Sequence, residues 1–262
     1  PINSYAQPTD SLPFFLRSLR LGKAHDLVEV YKPFLENKVF EYKNAVFDRK
    51  TQLVKRNMYF SSIKDGFKRD SSCYDNCCVA ALSNELNLLK LKNPFRNHDF
   101  KRIINQNFWN GKYYYDDLSK EDYVAADANI FPYYFGIIND KKKLASSIQA
   151  IQKEKLDDPM PIKYTNFRDP KKQILVQKLF TPNYEGTTVW IHLGLAYMCV
   201  VAKHDKVLLR KYLEEYKNQM ILKYNNFLEV LNPDTTPYKS AVYFCDDSMS
   251  WASIYLNLKN HA

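Results

Sequence analysis

Residues 74–91 read YDNCCVAALSNELNLLKL, and their apolar side chains recur at helical spacing over one wide face. Pro94 follows soon after, as a stop signal for the helix that this stretch predicts. The same periodicity recurs along the chain. The predicted helices span residues 10–21, 27–42, 45–56, 75–91, 100–107, 125–138, 141–155, 185–203, 206–231 and 247–258. Outside one tyrosine-rich loop there is no alternating β pattern, so the sequence predicts an all-α fold.

The predicted helices follow one another in pairs joined by short polar loops, which favours an α/α toroid of helical hairpins. Local periodicity does not separate a toroid from an irregular bundle. Glycine is scarce, with six residues in 262, and the chain has neither a GxGxxG nor a GxxxxGK[ST] motif, so nucleotide-binding folds lose their main support. No linker rich in proline, glycine or serine interrupts the chain, so residues 1–262 are expected to form a single domain.

The net charge of +9 comes from lysines that are spread along the chain, with no arginine-rich stripe. This distribution predicts solvated helix faces and no nucleic-acid partner. No apolar run approaches ~18 residues, so no membrane span is expected. The five cysteines have irregular spacings and favour free buried thiols in a reducing, cytoplasmic compartment. No HxxxH pair is present, so neither a metal nor a cofactor is predicted.

The segment 184–192, YEGTTVWIH, carries the first candidate site residues. Tyr184, Glu185 and Trp190 stand at the predicted start of an apolar helix, where they could line a pocket. The plain alternative is a helix start with a threonine near its cap and a buried tryptophan. His192 is a pocket candidate as well, and a satisfied core histidine is the alternative.

The segment 227–238, FLEVLNPDTTPY, carries the second candidate. Glu229 is expected in the last turn of the 206–231 helix, where a negative charge opposes the helix dipole. Burial beside Phe227 and Leu228 would raise its pKa, which is the environment that acid–base chemistry requires. The alternative is an exposed surface glutamate.

Two further segments contain tryptophan in an aromatic setting, FWNGKYYYDDL at 108–118 and SMSWASIYL at 248–256. Taken in order, the segments resemble the six-hairpin glycosidase clan, which includes trehalase-like enzymes and the glucosidase part of glycogen-debranching enzymes. YEGTTVW is similar to the clan's Y-x-x-G-x-x-W, and FWNGKYYYDDL is similar to its F-W-N-G-x-Y-x-Y loop. The run from Glu229 through Asn-Pro to Trp251 resembles the closing pattern of the clan, and DSLPFFLRSL at 10–19 resembles its first helix start.

This resemblance implies an (α/α)6 toroid that hydrolyses an α-linked glucoside or a related oligosaccharide with inversion. Glu229 matches the position of the general base, and Asp10 is the candidate general acid, with Asp65, Asp75 or a residue upstream of Pro1 as alternatives. Inversion requires the two carboxyls to lie about 6.5–9.5 Å apart, which leaves room for water. The expected substrate-binding residues are Tyr184, Glu185, Trp190, His192, Trp109, Asp75 and Trp251.

The chain departs from the clan in two respects. The clan's Y-W-R-G-P-V-W has an arginine and a proline that residues 184–190 lack, which makes Glu185 a rival catalytic carboxylate. The predicted helices are too few for six hairpins, so one hairpin is expected upstream of Pro1 or absent. Both departures favour a second hypothesis, a carbohydrate-binding or regulatory toroid without catalysis. A helical interaction module, or a phosphorylase or lyase on the same fold, are further alternatives. The sugar, the linkage and the oligomeric state do not follow from the sequence.

Overall fold

The computed structural model describes residues 8–60 and 62–262 and confirms the all-α fold class. Its described residues divide into two compact units. The first unit runs to Trp109 and includes 116–121, and the second comprises 110–115 and 122–262. The toroid and the single-domain organisation stay predictions.

The first unit consists of five helices and one short hairpin within the described residues. Its elements are α1 (Ser11–Leu21), α2 (His25–Val30), α3 (Lys32–Val46), β1 (Phe47–Asp48), β2 (Leu53–Val54), α4 (Cys73–Leu88) and α5 (Phe100–Phe108). Helix α4 is the centre of this unit, since 13 of its 16 residues are buried and it packs against α1, α5 and β2. Ser72 caps it by accepting a hydrogen bond from the Asp75 amide at 3.0 Å.

A paired ion contact joins the first and fourth helices. The Arg20 guanidinium donates through two nitrogens to the buried carboxylate of Glu85, with Nη2 at 3.0 Å from Oε1. A two-point contact of this kind fixes the relative orientation of the two side chains and also pairs their charges. It accounts for the burial of Glu85 in a helix whose other buried side chains are mostly small or apolar.

The second unit begins with a loop and then alternates helices with two strand segments. Its elements are α6 (Ala126–Tyr134), α7 (Lys141–Lys153), α8 (Leu175–Phe180), β3 (Val189–Trp190), α9 (Ile191–Val201), α10 (Lys206–Tyr216), a π-helical segment (Lys217–Ile221), α11 (Leu222–Tyr224), β4 (Val230–Leu231) and α12 (Ala252–His261). Helix α9 is buried on nearly all sides and packs against α6, α10, α12 and β3.

Most predicted helices are found close to their expected bounds. The confirmed ones are 10–21 as α1, 75–91 as α4, 100–107 as α5, 125–138 as α6, 141–155 as α7 and 247–258 as α12. The 27–42 helix is present as α2 and α3, which are separated at Tyr31. The residues around the Asn-Gly pair form a loop, as expected, in which the Asn110 side chain accepts from two backbone amides.

The predicted helix at 45–56 is wrong, because these residues form the β1–β2 hairpin. The side chain of Asp48 accepts hydrogen bonds from the Lys50 amide and the Thr51 hydroxyl, at 2.9 and 2.8 Å. Gln52 has a positive φ of 60°. An aspartate side chain that accepts a hydrogen bond from the backbone amide two residues later is a turn signal. Here the turn at Asp48 ends the helical segment of α3.

Two long helices were predicted with the wrong bounds. The 185–203 helix begins only at Ile191, and the 206–231 helix ends at Tyr224, where Asn225 adopts the left-handed conformation with φ of 51°. Residues that were predicted to belong to these two helices instead pair with each other as β3 and β4. Helical periodicity does not detect this, because the apolar residues of a buried strand pair look the same as those of a buried helix. Across the described ranges, no helix is long and apolar enough to cross a membrane.

The start of α9 lies very close to neighbouring backbone. The Tyr216 hydroxyl donates to the carbonyls of Pro161 and Ile191, at 2.6 and 3.2 Å. A Cβ atom added at Gly194 would collide with this hydroxyl and with the Pro161 carbonyl, and would lie 2.8 Å from the Pro161 carbonyl carbon. The glycine is therefore required for close approach and not for its backbone conformation.

We expect Gly194→Ala to lower the free energy of unfolding by about 1–3 kcal/mol, the usual range for overpacking. We expect this loss of stability even though the helix propensity of alanine is more favourable than that of glycine by about 1 kcal/mol. Urea unfolding measures it. Gly22→Ala is the matched control, because an added Cβ there lies 3.1 Å from the Ser18 carbonyl oxygen and needs only a small shift. Equal stability of the two variants would contradict the packing argument.

Candidate functional site

The β3–β4 pair positions the candidate site of the second unit. Trp190 pairs with Val230 in an antiparallel register, and the Ile191 amide donates to the Glu229 carbonyl at 3.1 Å. Glu229 therefore lies directly before β4 and beside the first residue of α9. The pairing brings together two segments that the sequence analysis selected independently.

The Glu229 carboxylate accepts a hydrogen bond from the Tyr243 hydroxyl. The Glu229 amide donates to the Asp246 carbonyl at 2.9 Å. Burial raises the pKa of the Glu229 carboxyl, and the negative charge of Asp246 raises it further. The expected location at a helix C-terminus is wrong, since Glu229 follows a loop after α11. The pKa is raised in the predicted direction by burial and a neighbouring acid, and the helix dipole does not contribute.

The Tyr243 side chain that contacts this carboxylate belongs to a group of four neighbouring aromatic side chains. The ring centroid of Tyr184 lies 4.7 Å from Trp190, 4.9 Å from Tyr243 and 5.4 Å from Tyr238. The Trp190 indole N–H donates to the Tyr184 carbonyl at 2.7 Å, which fixes the orientation of the indole ring. We call Tyr184, Trp190, Tyr238 and Tyr243 the aromatic cluster. Tyr238 and Tyr243 were missed by sequence reasoning, although Tyr238 ends the segment that was quoted for Glu229.

Tight turns hold Tyr184 and Glu185 in place. Asn183 has a positive φ of 66°, and its side chain accepts from the Thr187 amide at 3.0 Å. A side chain at Gly186 would collide with this asparagine. Glu185 is only 2% exposed, whereas Glu229 is half-buried. Of the two rival carboxylates, Glu229 is therefore the more accessible to a water molecule.

His192 lies between two indole rings. Its ring centroid is 5.2 Å from Trp190 and 4.9 Å from Trp251, which precedes α12. Burial lowers the pKa of the imidazole to about 4, so the ring is neutral at pH 7. Its Nδ1 atom is buried and has no hydrogen-bond partner among the described residues. A buried nitrogen without a partner is uncommon and is often explained by a bound water or ligand.

The remaining candidates belong to the first unit. The Tyr74 hydroxyl donates to Asp10 at 3.1 Å. Burial raises the pKa of Asp10 to about 6, and the neighbouring Asp75 charge contributes. Asp75 itself is buried and accepts from the hydroxyls of Thr9 and Ser72, at 2.5 and 2.6 Å. The first unit thus contains two neighbouring carboxyls, of which Asp75 accepts two hydroxyl hydrogen bonds and Asp10 is held toward the protonated form.

Asp10 begins the predicted 10–21 helix, and the structure places it directly before α1. It occupies the N-cap position, but its side chain makes no capping hydrogen bond, because it accepts from Tyr74 instead. Trp109 follows the last residue of α5 and is half-buried in the first unit. Asp65 is also in this unit, and its backbone carbonyl accepts from Tyr59. Among the residues placed by the structure, no group of three or more histidine, cysteine or acidic side chains could hold a metal.

No protein-family model and no curated protein matches the sequence. A solved structure named a sialidase is similar to this chain, with a TM-score of 0.59 and 13% sequence identity. The similarity covers 80% of this chain and 22% of the sialidase chain, so this chain spans a minor part of that protein. At this identity the likeness concerns the fold alone. Membership of the six-hairpin clan stays a hypothesis.

The raised pKa of Asp10 predicts how stability depends on pH. In the unfolded chain the carboxyl ionises near its ordinary pKa of 3.8, whereas in the folded chain it ionises near 6. The folded state therefore keeps a proton that the unfolded state loses, and stability from this group is lost as pH rises from about 4 to about 6. Asp10→Asn should be more stable than wild type at pH 7, by up to about 3 kcal/mol, and similar at pH 4.

Urea unfolding at pH 4, 5, 6 and 7 measures this difference. Asp140→Asn is the matched control, because the pKa of the Asp140 carboxyl is lowered. The hydrogen bond from the Lys143 backbone amide is the largest cause of this shift. Stability from Asp140 is present above its unfolded pKa and is lost in acid, so its replacement should destabilise at pH 7. Destabilisation of similar size by both substitutions at pH 7 would show that Asp10 is not held in its protonated form.

Proposed function

We propose that this chain is a glycoside hydrolase that cleaves an α-linked glucoside or a related oligosaccharide with inversion. The observation that carries the proposal is the half-buried Glu229 carboxylate, which has a raised pKa and accepts a hydrogen bond from Tyr243, a member of the aromatic cluster. Aromatic faces beside a carboxylate suit a sugar ring, since the C–H face of a sugar packs on the aromatic ring while hydroxyl groups hydrogen-bond around it.

Glu229 would act as the general base. It removes a proton from a water molecule while the water oxygen bonds to the anomeric carbon and the glycosidic bond breaks. A general base is most effective when its pKa lies closer to the working pH, and burial shifts Glu229 in that direction. The Tyr243 hydroxyl would hold the carboxylate in one orientation during this step.

The inverting reaction also needs a general acid that gives a proton to the leaving oxygen. Asp10 is our candidate, because a pKa of about 6 keeps part of its population protonated near neutrality. Asp75 accepts from two hydroxyls, which favours its ionised form, so we give it a substrate-binding role and not the acid role. Asp65 and a residue upstream of Pro1 remain alternatives for the acid.

The aromatic residues would bind the sugar. The half-buried Tyr184 would pack on the ring, and the buried Trp190 would support it from behind. The neutral imidazole of His192 would exchange a hydrogen bond with a sugar hydroxyl beside Trp251. Trp109 and Glu185 keep their predicted binding roles in the proposal. No cofactor, nucleic acid or membrane takes part, and the substrate would be met in the cytoplasm.

The sialidase likeness supports a carbohydrate-related function at a coarse level, because that protein carries the name of a sugar-cleaving enzyme. The similarity covers 22% of that chain, so its activity is not transferred here. A specific observation favours the second candidate, a carbohydrate-binding domain without catalysis. The segment YEGTTVW lacks the arginine and the proline of the clan's motif, and with them a residue that grips the substrate.

Glu229→Gln tests the proposal on a panel of α- and β-linked disaccharides and oligosaccharides. We expect product release by the wild type and a loss of about 10²–10⁴-fold in the variant, the usual contribution of a general base. Thermal unfolding should show that the variant stays folded. The anomer released first, followed by NMR, should be the inverted one.

Glu185→Gln is the control, since Glu185 is the rival carboxylate in the same unit. Full turnover by Glu229→Gln together with an inactive Glu185→Gln would move the base to Glu185. Sugar binding without turnover by the wild type would favour the non-catalytic domain. If the wild type neither binds nor cleaves any sugar of the panel, both candidates are rejected.

A further inference from the structure

We propose that a groove along the β1–β2 hairpin binds the dianion of a phosphate group, carried by a sugar as a monoester or present as inorganic phosphate. The groove lies in the first unit, whereas Glu229 and the aromatic cluster lie in the second. The anion site is therefore additional to the candidate site, and it does not rest on the proposed function.

Four basic side chains and one acidic side chain line this groove. Its volume is about 590 Å³, which is within the range of small-molecule sites. A surface with such an excess of positive charge attracts anions and raises their local concentration. We call it the hairpin groove, and its lining includes Asn44, Asp48, Arg49, Lys50, Lys55 and Arg56.

Most of the positive charge in the hairpin groove is uncompensated. Arg56 is paired, since its Nε atom donates to the Asp70 carboxylate at 2.9 Å. Arg49, Lys50 and Lys55 form no ion pair with an acidic side chain of the described residues. Three cations are thus left to interact with an anion from solution.

The acidic side chain of the lining, Asp48, is used inside the turn of the hairpin. Its Oδ1 atom accepts from the Lys50 amide at 2.9 Å, and its Oδ2 atom accepts from the Thr51 hydroxyl at 2.8 Å. Both carboxylate oxygens therefore stabilise the turn. The same contacts hold the segment that carries Arg49 and Lys50 in one conformation.

Two of the cations converge on Asn44. The Lys55 ammonium donates to the Asn44 backbone carbonyl at 2.5 Å, and the Arg49 guanidinium lies 3.5 Å from the Asn44 side-chain oxygen. The charge of Arg49 also reaches Lys43. Burial lowers the pKa of the Lys43 ammonium, and the positive charge of Arg49 lowers it further. Like charges held this close repel each other, and a bound anion offsets the repulsion.

A phosphate dianion fits this set of donors better than a carboxylate does. A phosphate monoester carries a charge of about −1.5 to −2 at pH 7 and has three acceptor oxygens. A carboxylate carries one charge, and a single guanidinium satisfies both of its oxygens. The planar fork of Arg49 suits two phosphate oxygens, and the ammonium groups of Lys50 and Lys55 supply point charges for the remainder.

Among the described lining residues, no aromatic ring is open for a nucleic-acid base to stack on. Proteins bind single-stranded nucleic acid by combining basic grooves with exposed aromatic side chains. The aromatic residue of this lining is Phe47, which is 3% exposed. Its ring packs edge to face on Phe95 with centroids 5.3 Å apart. The hairpin groove therefore offers contacts to phosphate and none to a base.

The hairpin is the reason that the four cations share one surface. On the predicted 45–56 helix they would point in different directions, because each residue of a helix is turned by about 100° from the previous one. In the structure, Arg49 and Lys50 directly follow β1, and Lys55 and Arg56 directly follow β2. Both pairs therefore line the same groove.

Arg49→Gln and Lys50→Gln test the inference by calorimetry with inorganic phosphate and with glucose 6-phosphate. We expect the wild type to bind with a Kd of about 1 mM or tighter in about 50 mM salt, where surface charges are less screened. Each substitution should weaken binding about 10-fold, the effect of a lost charge-assisted hydrogen bond. The melting temperature of Arg49→Gln without phosphate should stay equal or rise, because repulsion between like charges is reduced.

Lys141→Gln on α7 is the matched control, because that lysine is exposed in the second unit and does not line the hairpin groove. It should leave the Kd for phosphate unchanged. Absence of phosphate binding by the wild type would overturn the inference. An equal loss in Lys141→Gln and Arg49→Gln would overturn it as well, since binding would then follow the net charge of the protein.

The two probes separate the sources of the phosphate group. Tighter binding of glucose 6-phosphate than of inorganic phosphate, removed by Arg49→Gln, would support a phosphorylated sugar, and equal or weaker binding would support inorganic phosphate. Oligodeoxythymidylate is the third probe. If it binds more tightly than both and Arg49→Gln removes the difference, a nucleic-acid backbone replaces the phosphate monoester and the inference is overturned.

Calorimetry on Glu229→Gln separates this inference from the proposed function. The Kd for inorganic phosphate should equal that of the wild type whether or not the chain hydrolyses a sugar. Loss of phosphate binding in Glu229→Gln would place the anion at the candidate site and overturn the hairpin groove as its location.

Discussion

The two-residue pairing between β3 and β4 is the constraint on which the candidate site depends. It holds Trp190 against Val230 and thereby sets Glu229 beside the start of α9. The pair is too short to be stable alone, and short strands of this kind depend on the packing around them. Here both strands are fully buried, and Lys163 adds a further bridge to Val189. The site is thus held by backbone hydrogen bonds inside a helical core.

The helical class and most helix bounds could be predicted because amphipathic periodicity is local. The β1–β2 hairpin and the β3–β4 pair could not, since a two-residue strand has no period, and the two strands of the second pair are also distant in sequence. Glu229 shows the limit clearly. Its raised pKa and its burial were anticipated, but the predicted helix terminus is wrong, because the helix ends earlier at Tyr224, and the charge of Asp246 raises the pKa further. Tyr243 carries no motif, and only the fold shows its contact with Glu229.

The carboxyls of the first unit illustrate how environment separates chemically identical groups. Asp10 and Asp75 share a helical neighbourhood, in which Asp75 accepts from the Thr9 and Ser72 hydroxyls and Asp10 accepts from the Tyr74 hydroxyl. The sequence preferred Asp10 for the acid and kept Asp75 as an alternative, and it does not show the burial that is the main cause of the raised pKa of Asp10.

The hydrogen bonds of Tyr216 have a consequence for how the scaffold responds to alkaline solution. Its hydroxyl joins Pro161 to Ile191, the first residue of α9, and burial raises its pKa well above the ordinary value. The phenol therefore keeps its proton at high pH and continues to donate. Deprotonation would replace the hydroxyl donor by a buried anion facing two carbonyl oxygens and is therefore unfavourable. The hydroxyl that fixes the geometry at the start of α9 thus also keeps that geometry unchanged in alkaline solution.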